Sequence, residues 1–348
     1  MTLIFLVFFC LCIAGIKVDF FNRDYISRNT TIQINGIFVF LVFLSHFANY
    51  LDHEFPMNFI YMNIRSFFGQ LVVTTFLFYS GYGVLTSINR KKEAYIKMIP
   101  IKVIELIFDF SVAVILFLLV QSFFGRFFDP IEIILSCIGW DSVGNSNWYL
   151  FDILLLYMIT YISFMVSKDR KISLSLVLIF SLVSMMFLAQ YQTGTRWYNT
   201  FLCFWLGMVY AQIKPKYEKV LQKDKKKYYL ITVSLVIIFL ISILLRNEVL
   251  FYIIHALVFT LLINHMSMVV HIDNPVLKWL GSHIFSIYIL QRIPMIIGDR
   301  LAFIDEHMFV YFIFSLVLTG VMAETFDRFV HMISKKVFVP IRMMVNEG

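Results

Sequence analysis

QINGIFVFLVFLSHFANY, residues 33–50, is an apolar run of helix length with a single histidine, His46, well inside it. An ionisable side chain in such a run costs several kcal/mol unless it has a partner or a task, so His46 is a functional candidate from the outset. The polar Asn35 lies eleven residues earlier. Eleven helical steps of about 100° return to within roughly 20° of the same direction and climb about 16 Å. The two therefore share one face of the predicted helix, Asn35 near one membrane surface and His46 about two thirds of the way across.

The composition extends that reading to the whole chain. Of 348 residues 60% are hydrophobic and 15% charged, and the mean hydropathy is +0.81. Such values belong to a polytopic membrane protein. The apolar stretches are continuous, whereas barrel strands would alternate over about ten residues, so the spans are read as helices. The most polar connection runs only from Lys214 to Tyr229, which leaves no water-soluble domain in this reading. The net charge of +7 falls in membrane-flanking connections; there it fixes orientation, and no nucleic-acid partner is expected. Cys10, Cys12, Cys137 and Cys203 show neither metal-ligand spacing nor a disulfide framework. His255, His265, His283 and His331 are scattered without ligand spacing, so no metal site is expected.

Hydrophobic runs fall at 2–16, 33–50, 66–87, 103–124, 147–166, 172–189, 198–213, 230–245, 249–270, 279–299 and 308–334. Lysine and arginine alternate across them. Of the 29, 23 lie in connections 17–32, 88–102, 167–171, 214–229 and 271–278 and in the tail from Arg328, and 6 in the intervening connections. By the positive-inside rule the first set faces the cytoplasm, the C-terminus with it, and the ten spans from residue 33 begin and end inside. The first run, TLIFLVFFCLCIAGI, is about 22 Å long as a helix, short for a hydrocarbon core of about 30 Å. It reads as an uncleaved signal-anchor with its N-terminus outside or as an interfacial segment; without a basic residue ahead of it or a small-x-small site, it does not read as a cleaved signal peptide. The chain thus divides into an N-terminal hydrophobic segment with its basic connection (1–32), a transmembrane core (33–334) and a cytoplasmic tail (335–348). DPIEIILSCIGW, residues 129–140, reads as an interfacial helix.

Five stretches carry a resemblance. NGIFVFLVFLSHF resembles the first core helix of the membrane acyltransferase-3 family, in which a basic residue is followed by ten residues and then histidine; here the histidine is His46 and Asn35 takes the basic position. FFGQLVVTTFLFYSGYGVLTS (67–87) is similar to that family's second core helix with its aromatic-rich Ser-Gly segment. NSNWYLFDILLLY (145–157) resembles its Trp-containing span. RWYNTFLCFWLGMVYA (196–211) resembles the later span that opens on Trp-Tyr-Asn and closes on Leu-Gly-Met. WLGSHIFSIYILQRIPM (279–295) is similar to the late helix with Ile-Tyr-Leu and a following polar residue, here Gln291. They occur in family order over most of residues 33–334.

The resemblance implies an all-α polytopic membrane protein with a ten-helix acyltransferase-3-like core plus the extra N-terminal segment. It implies an O-acyltransferase of the bacterial cytoplasmic membrane with no permanently bound cofactor. The co-substrate would be acyl-CoA, usually acetyl-CoA, bound from the cytoplasm, and the acceptor a hydroxyl of a polysaccharide or lipid-linked glycan outside. His46 would act as general base on that hydroxyl or as covalent acyl relay; an imidazole serves either role, and both stay open. Coenzyme A is a polyanion on a long thin arm, so it needs cations at the inner surface and a narrow polar path. The donor set is Asn35, Tyr79, Ser80, Arg90, Lys91 and Lys92, with Lys97 and Lys102 nearby. With Asn35 neutral, charge toward the donor falls to Arg28 or to the Arg90, Lys91, Lys92 cluster, whose residues also serve as topology signals. The acceptor set is Arg65, Asn147, Trp148, Trp197, Asn199, Gln291 and Arg292, with Arg196, Tyr198 and Asp152, at the outer ends of their spans. The aromatics among them fall where interfacial anchors are common.

Bland readings stand beside these. Glu105 and Asp109, four apart, are a structural pair for Lys102 or a support for His46. Glu324, Asp327 and Arg328 are local pairs, and Gly81 and Gly83 allow close helix packing. A carrier for polysaccharide or lipid would show internal repeats, and none is seen. A membrane polymerase would bring acidic loops outside, where the connections are mostly short. Membrane lipids surround the core, and a homo-oligomer is compatible with the sequence.

Overall fold

In hydrocarbon every backbone N–H and C=O must be bonded within its own segment, and the apolar runs meet that demand as helices. The computed structural model describes residues 2–50, 59–301 and 307–347. In chain order the helices are α1 (Thr2–Ile13), α2 (Arg28–Phe47), α3 (Phe59–Phe68), α4 (Thr74–Lys91), α5 (Glu93–Phe123), α6 (Pro130–Cys137), α7 (Trp148–Val166), α8 (Arg170–Tyr191), α9 (Leu202–Lys223), α10 (Lys225–Leu245), α11 (Val249–Met266), α12 (Pro275–Ser282), α13 (Ile284–Leu290), α14 (Arg292–Asp299) and α15 (Met308–Glu347). Among the described residues eight helices are long and apolar enough to cross a membrane, and a ninth span results if α12 to α14, bent by 66°, count as one. The tenth expected span is α9, whose first half is apolar and whose second half carries Lys214, Lys216, Lys219 and Lys223. The protein is thus an all-α multi-pass membrane protein.

Capping side chains mark where several helices begin. Ser27 accepts the Thr30 N–H at 3.3 Å to start α2, and Asp129, Asp169, Asp224 and Asn274 do the same for α6, α8, α10 and α12. The expected interfacial helix over 129–140 is α6, shorter than the motif because Gly139, with φ +78°, ends it. The tail counted from residue 335 continues α15 to Glu347.

The first run forms only twelve helical residues, about 18 Å, too short to cross a bilayer of about 30 Å. It rests on α2 through stacked Phe8 and Phe40 rings, 4.0 Å apart. A feature with no sequence signal follows: β1 (Ile16–Val18) pairs antiparallel with β2 (Val270–Ile272), Lys17 opposite His271. That ribbon joins two connections assigned to the same membrane side. Asn274 locks it. Its Oδ1 accepts the Val276 and Leu277 N–H groups at 3.0 and 3.2 Å, its Nδ2 donates to the Leu11 and Ala14 carbonyls at 2.7 and 3.2 Å, and its own N–H reaches Gln33 Oε1 at 2.6 Å. Asn274→Ala is expected to destabilise the detergent-solubilised protein by about 2 to 4 kcal/mol, since it strips a cap and leaves carbonyls unmet. Asn274→Asp, which keeps the cap, should recover about half of that in a thermal melt; an alanine variant as stable as the parent would show the joint to be idle.

Two backbone contacts set the packing, because between lipid-embedded helices small residues decide how near the axes come. A Cβ at Gly36 of α2 would overlap the Leu277 carbonyl of α12, and one at Gly81 of α4 would overlap the Phe204 carbonyl of α9. Gly83 meets nothing within 4 Å, so of the two glycines expected in packing only Gly81 serves it. Glu105 does not pair with Lys102 or reach His46: it receives Ser334 and Arg342 from α15, while Lys102 donates to Tyr95 Oη at 3.1 Å. The acid is thus spent on docking the end of α15. Glu324 holds Arg328 locally at 2.7 Å and also His283 Nε2 at 3.0 Å.

Candidate active site

His46 lies one residue from the end of α2, where phenylalanines 40, 43 and 47 stack along another face of the helix and bury it against Phe312 of α15. Its own half-buried face opens on a cavity of about 1010 Å³. The wall opposite is a loop rich in small polar residues, DSVGNSN, 141–147. Gly144, with φ +111°, turns it, and its shape is held from within: Ser142 Oγ donates to the Asn145 carbonyl at 2.7 Å and the Val143 N–H reaches Asn145 Oδ1 at 3.0 Å. Other elements fasten it. Gln121 of α5 donates to the Val143 carbonyl at 3.2 Å, and Arg292 of α14 reaches the Asn145 carbonyl at 3.4 Å. The loop thereby sets Ser146 Oγ 3.4 Å from His46 Nδ1.

Of the expected acceptor residues, Arg65, Asn147, Trp148, Trp197 and Arg292 line this cavity together with His46, as does Arg196. Asn199 and Gln291 do not. Both are buried behind the wall, Gln291 Nε2 donating to the Tyr288 carbonyl at 3.1 Å. Gln291 precedes the lining Arg292, and consecutive helical residues point about 100° apart. Trp197 is almost fully buried, packed 6.2 Å from Trp140 and 5.9 Å from Phe151, so it forms wall and not platform. The sequence reading missed Asn49, Trp140, Asp141, Ser146, Gln192 and Tyr288, which also line the cavity. The dense polar run 141–147 between two apolar runs was the signal available for Asp141 and Ser146.

A second cavity, about 760 Å³, lies at the other end of α4 and carries Lys91, Lys92, Lys97, Lys168 and Arg170 with one acid, Glu93. Lys92, at φ +51°, makes the break between α4 and α5 that opens it. Glu93 bonds Lys168 at 2.8 Å, and that hydrogen bond raises the ammonium's pKa. Of the expected donor residues, Lys91 and Lys92 line it and Arg90, exposed beside it, does not.

Between the cavities, about 27 Å apart along α4, run α4 and α7. Ser80 Oγ meets Tyr157 Oη at 3.2 Å across the two helices. Thr75 Oγ1, Tyr79 Oη, both oxygens of Asp152 and Ser163 Oγ are buried without a hydrogen-bond partner among the described residues, as is Asn35 Oδ1. Buried polar atoms left unpaired are rare, and each calls for a partner such as water or a ligand. Among the described residues no group of three or more histidines, cysteines or acids could hold a metal ion.

The bundle thus sets a histidine on a polar cavity at one end and a cationic cavity at the other. Residues 33–323 match the acyltransferase domain family, acyltransferase-3, and the chain belongs to it; the protein is a membrane acyltransferase. Nothing among curated proteins or solved structures matches the chain.

Proposed function

We propose that this acyltransferase moves an acyl group, acetyl before others, from acyl-CoA in the cytoplasm to a hydroxyl of an extracytoplasmic or lipid-linked glycan. One observation carries the reading: α4 and α7 join a cationic cavity to the His46 cavity and hold a row of unpartnered polar groups between them. The lysine and arginine pattern supports a cytoplasmic side for the cationic cavity and the C-terminus. Lys91, Lys92, Lys97, Lys168 and Arg170 meet the phosphates of coenzyme A there, as charge-assisted bonds favour. The arm then lies along Ser80, Tyr79 and Asn35, with the thioester at His46.

With Nδ1–H donating to Ser146 Oγ, Nε2 presents its lone pair to the acceptor hydroxyl. As general base it takes the hydroxyl proton while the oxygen attacks the thioester carbonyl. The carbonyl oxygen gains the negative charge beside Arg65 and Arg292, the two charges that act on His46. The intermediate collapses, the C–S bond breaks, and the thiolate takes the proton from His46. As relay, Nε2 attacks the thioester first, the C–S bond breaks and the coenzyme A thiolate leaves; the hydroxyl oxygen then attacks the acyl-imidazolium, the N–C bond breaks to restore Nε2, and the hydroxyl proton goes to the thiolate.

Inside-out vesicles test this. With labelled acetyl-CoA outside, label is expected on glycan sealed inside, and none when the protein is absent or when right-side-out vesicles receive the donor. Transfer that needs donor on the outer face would overturn the assignment of sides; no transfer and no donor hydrolysis with native glycan present would remove the acyl-CoA reading.

A further inference from the structure

The charges of the His46 cavity are lopsided. Among the described residues its charged lining side chains are Arg65, Arg196, Arg292 and one acid, Asp141, besides His46 itself. Asp141 Oδ1 is taken by the Ser142 N–H at 2.8 Å. Among the described residues no carboxylate forms an ion pair with any of the three arginines. Instead, neutral groups orient two of them. Asn49 Oδ1 accepts from Arg65 Nη2 at 2.7 Å, and the Asn145 carbonyl accepts from Arg292 Nη1 at 3.4 Å. Amide oxygens of this kind fix the direction of a guanidinium and leave its charge in place. Arg292 Nε is buried with no hydrogen-bond partner. Among the described residues Arg292, which also bonds the Tyr50 hydroxyl, is therefore held half-buried without a countercharge and with Nε lacking an acceptor.

Such a site is costly unless a bound anion completes it. The transferred acyl group is neutral, and the transition-state oxyanion brings one transient charge to a pair of permanent cations. The phosphates of coenzyme A have their own cations at the far end of α4, about 27 Å away. What remains is the acceptor. Resting on the acyltransferase reading above, the geometry points to an anionic acceptor: a glycan whose carboxylate or phosphate lies between Arg65 and Arg292, on the acylated sugar or its immediate neighbour. A planar guanidinium takes either anion with two parallel hydrogen bonds. Arg196, exposed at the rim, adds attraction at longer range. Asn147 and Gln192, which also line the cavity, suit the sugar hydroxyls.

The product is the direct test. Membrane glycan labelled by the wild-type protein is solubilised, cut to its smallest labelled fragment and run on an anion exchanger. The labelled fragment is expected to be retained. Loss of retention after carboxyl reduction assigns a uronate-type acid, and loss after phosphatase or phosphodiester cleavage assigns a phosphate. A labelled fragment that passes through as neutral overturns the proposal while leaving the acyltransferase reading intact. An absence of label from any glycan removes that reading, and the proposal with it. In the same vesicles Arg292→Gln is expected to raise the KM for acceptor about 10- to 100-fold, the worth of one charge-assisted contact, with the KM for acetyl-CoA as in the wild type. Arg292→Lys should recover part of the loss, and added salt should weaken the wild type more than Arg292→Gln. A variant that lost kcat alone, at unchanged acceptor KM and salt response, would assign Arg292 to the oxyanion and not to the acceptor.

Discussion

His46→Ala is expected to lower acyl transfer by about two to four orders of magnitude, the range for removing a positioned acid–base group, with little change in the KM of either substrate. The expectation rests on what else the cavity offers. Among its described lining residues the remaining carboxylate, Asp141, is engaged by the Ser142 N–H, and the other charges are guanidiniums, which cannot accept a proton. His46→Gln should fall as far, because a glutamine can still bond Ser146 but has neither a titratable nitrogen nor a nucleophile. Ser146→Ala should cost far less, about tenfold at most, since one neutral hydrogen bond is worth about 1 kcal/mol. A quench after labelled acetyl-CoA in the absence of acceptor separates the two roles of the histidine: a relay leaves acid-labile label on the wild-type chain and none on His46→Gln, whereas a base leaves none on either. His46→Ala retaining more than a tenth of the wild-type rate would sink both roles.

How much of this was legible before the structure differs between the bundle and its site. Apolar length is a local property, and it located the helices. The ribbon between 16–18 and 270–272 was not readable, because three residues carry no period and the partners lie some 250 positions apart. Nor was the break at His283. The run 279–299 contains Pro294, yet the bend falls between α12 and α13, where α12 leaves its close contact with α2 at Gly36 and Gly281. At the site, polar and aromatic residues at span ends were visible as a set, and Arg65, Asn147, Trp148 and Arg292 do converge on His46. Asn199, in the turn before α9, and Gln291, at the junction of α13 and α14, belong to the same ends yet are buried away from the cavity. The 141–147 loop needed Gln121 and Arg292 to be placed, and neither tie leaves a trace in sequence. Glu105 shows the same limit: Lys102, three residues before it, was the expected partner, and its actual partners are Ser334 and Arg342 on the last helix.

Gly81→Leu is expected to leave little or no assembled protein. At Gly81 the backbones of α4 and α9 touch, and a Cβ there would overlap the Phe204 carbonyl oxygen. Gly207 returns the contact, since its Cβ would overlap the Phe78 carbonyl and lie 2.9 Å from the Tyr82 nitrogen. The obstructing atoms are backbone in both directions, so no side chain can swing away and the axes must separate. Even Gly81→Ala should destabilise by about 2 to 4 kcal/mol, at or above the usual cost of overpacking, and the leucine by more. Gly83→Ala, two residues along the same helix, supplies the contrast. Nothing lies within 4 Å of its added methyl, and alanine in a helix is favoured over glycine by about 0.5 to 1 kcal/mol. Thermal melts and size-exclusion profiles in detergent should therefore move in opposite directions for the two alanine variants; equal stability would mean that the α4–α9 contact does not set the packing. Activity should follow the same order for a geometric reason. The residues just before α4 line the His46 cavity and its last turn carries Lys91 of the cationic one. A shift of α4 away from α9 moves a wall of each at once, so a Gly81→Ala protein that still folds should lose transfer without any change in the chemistry of His46.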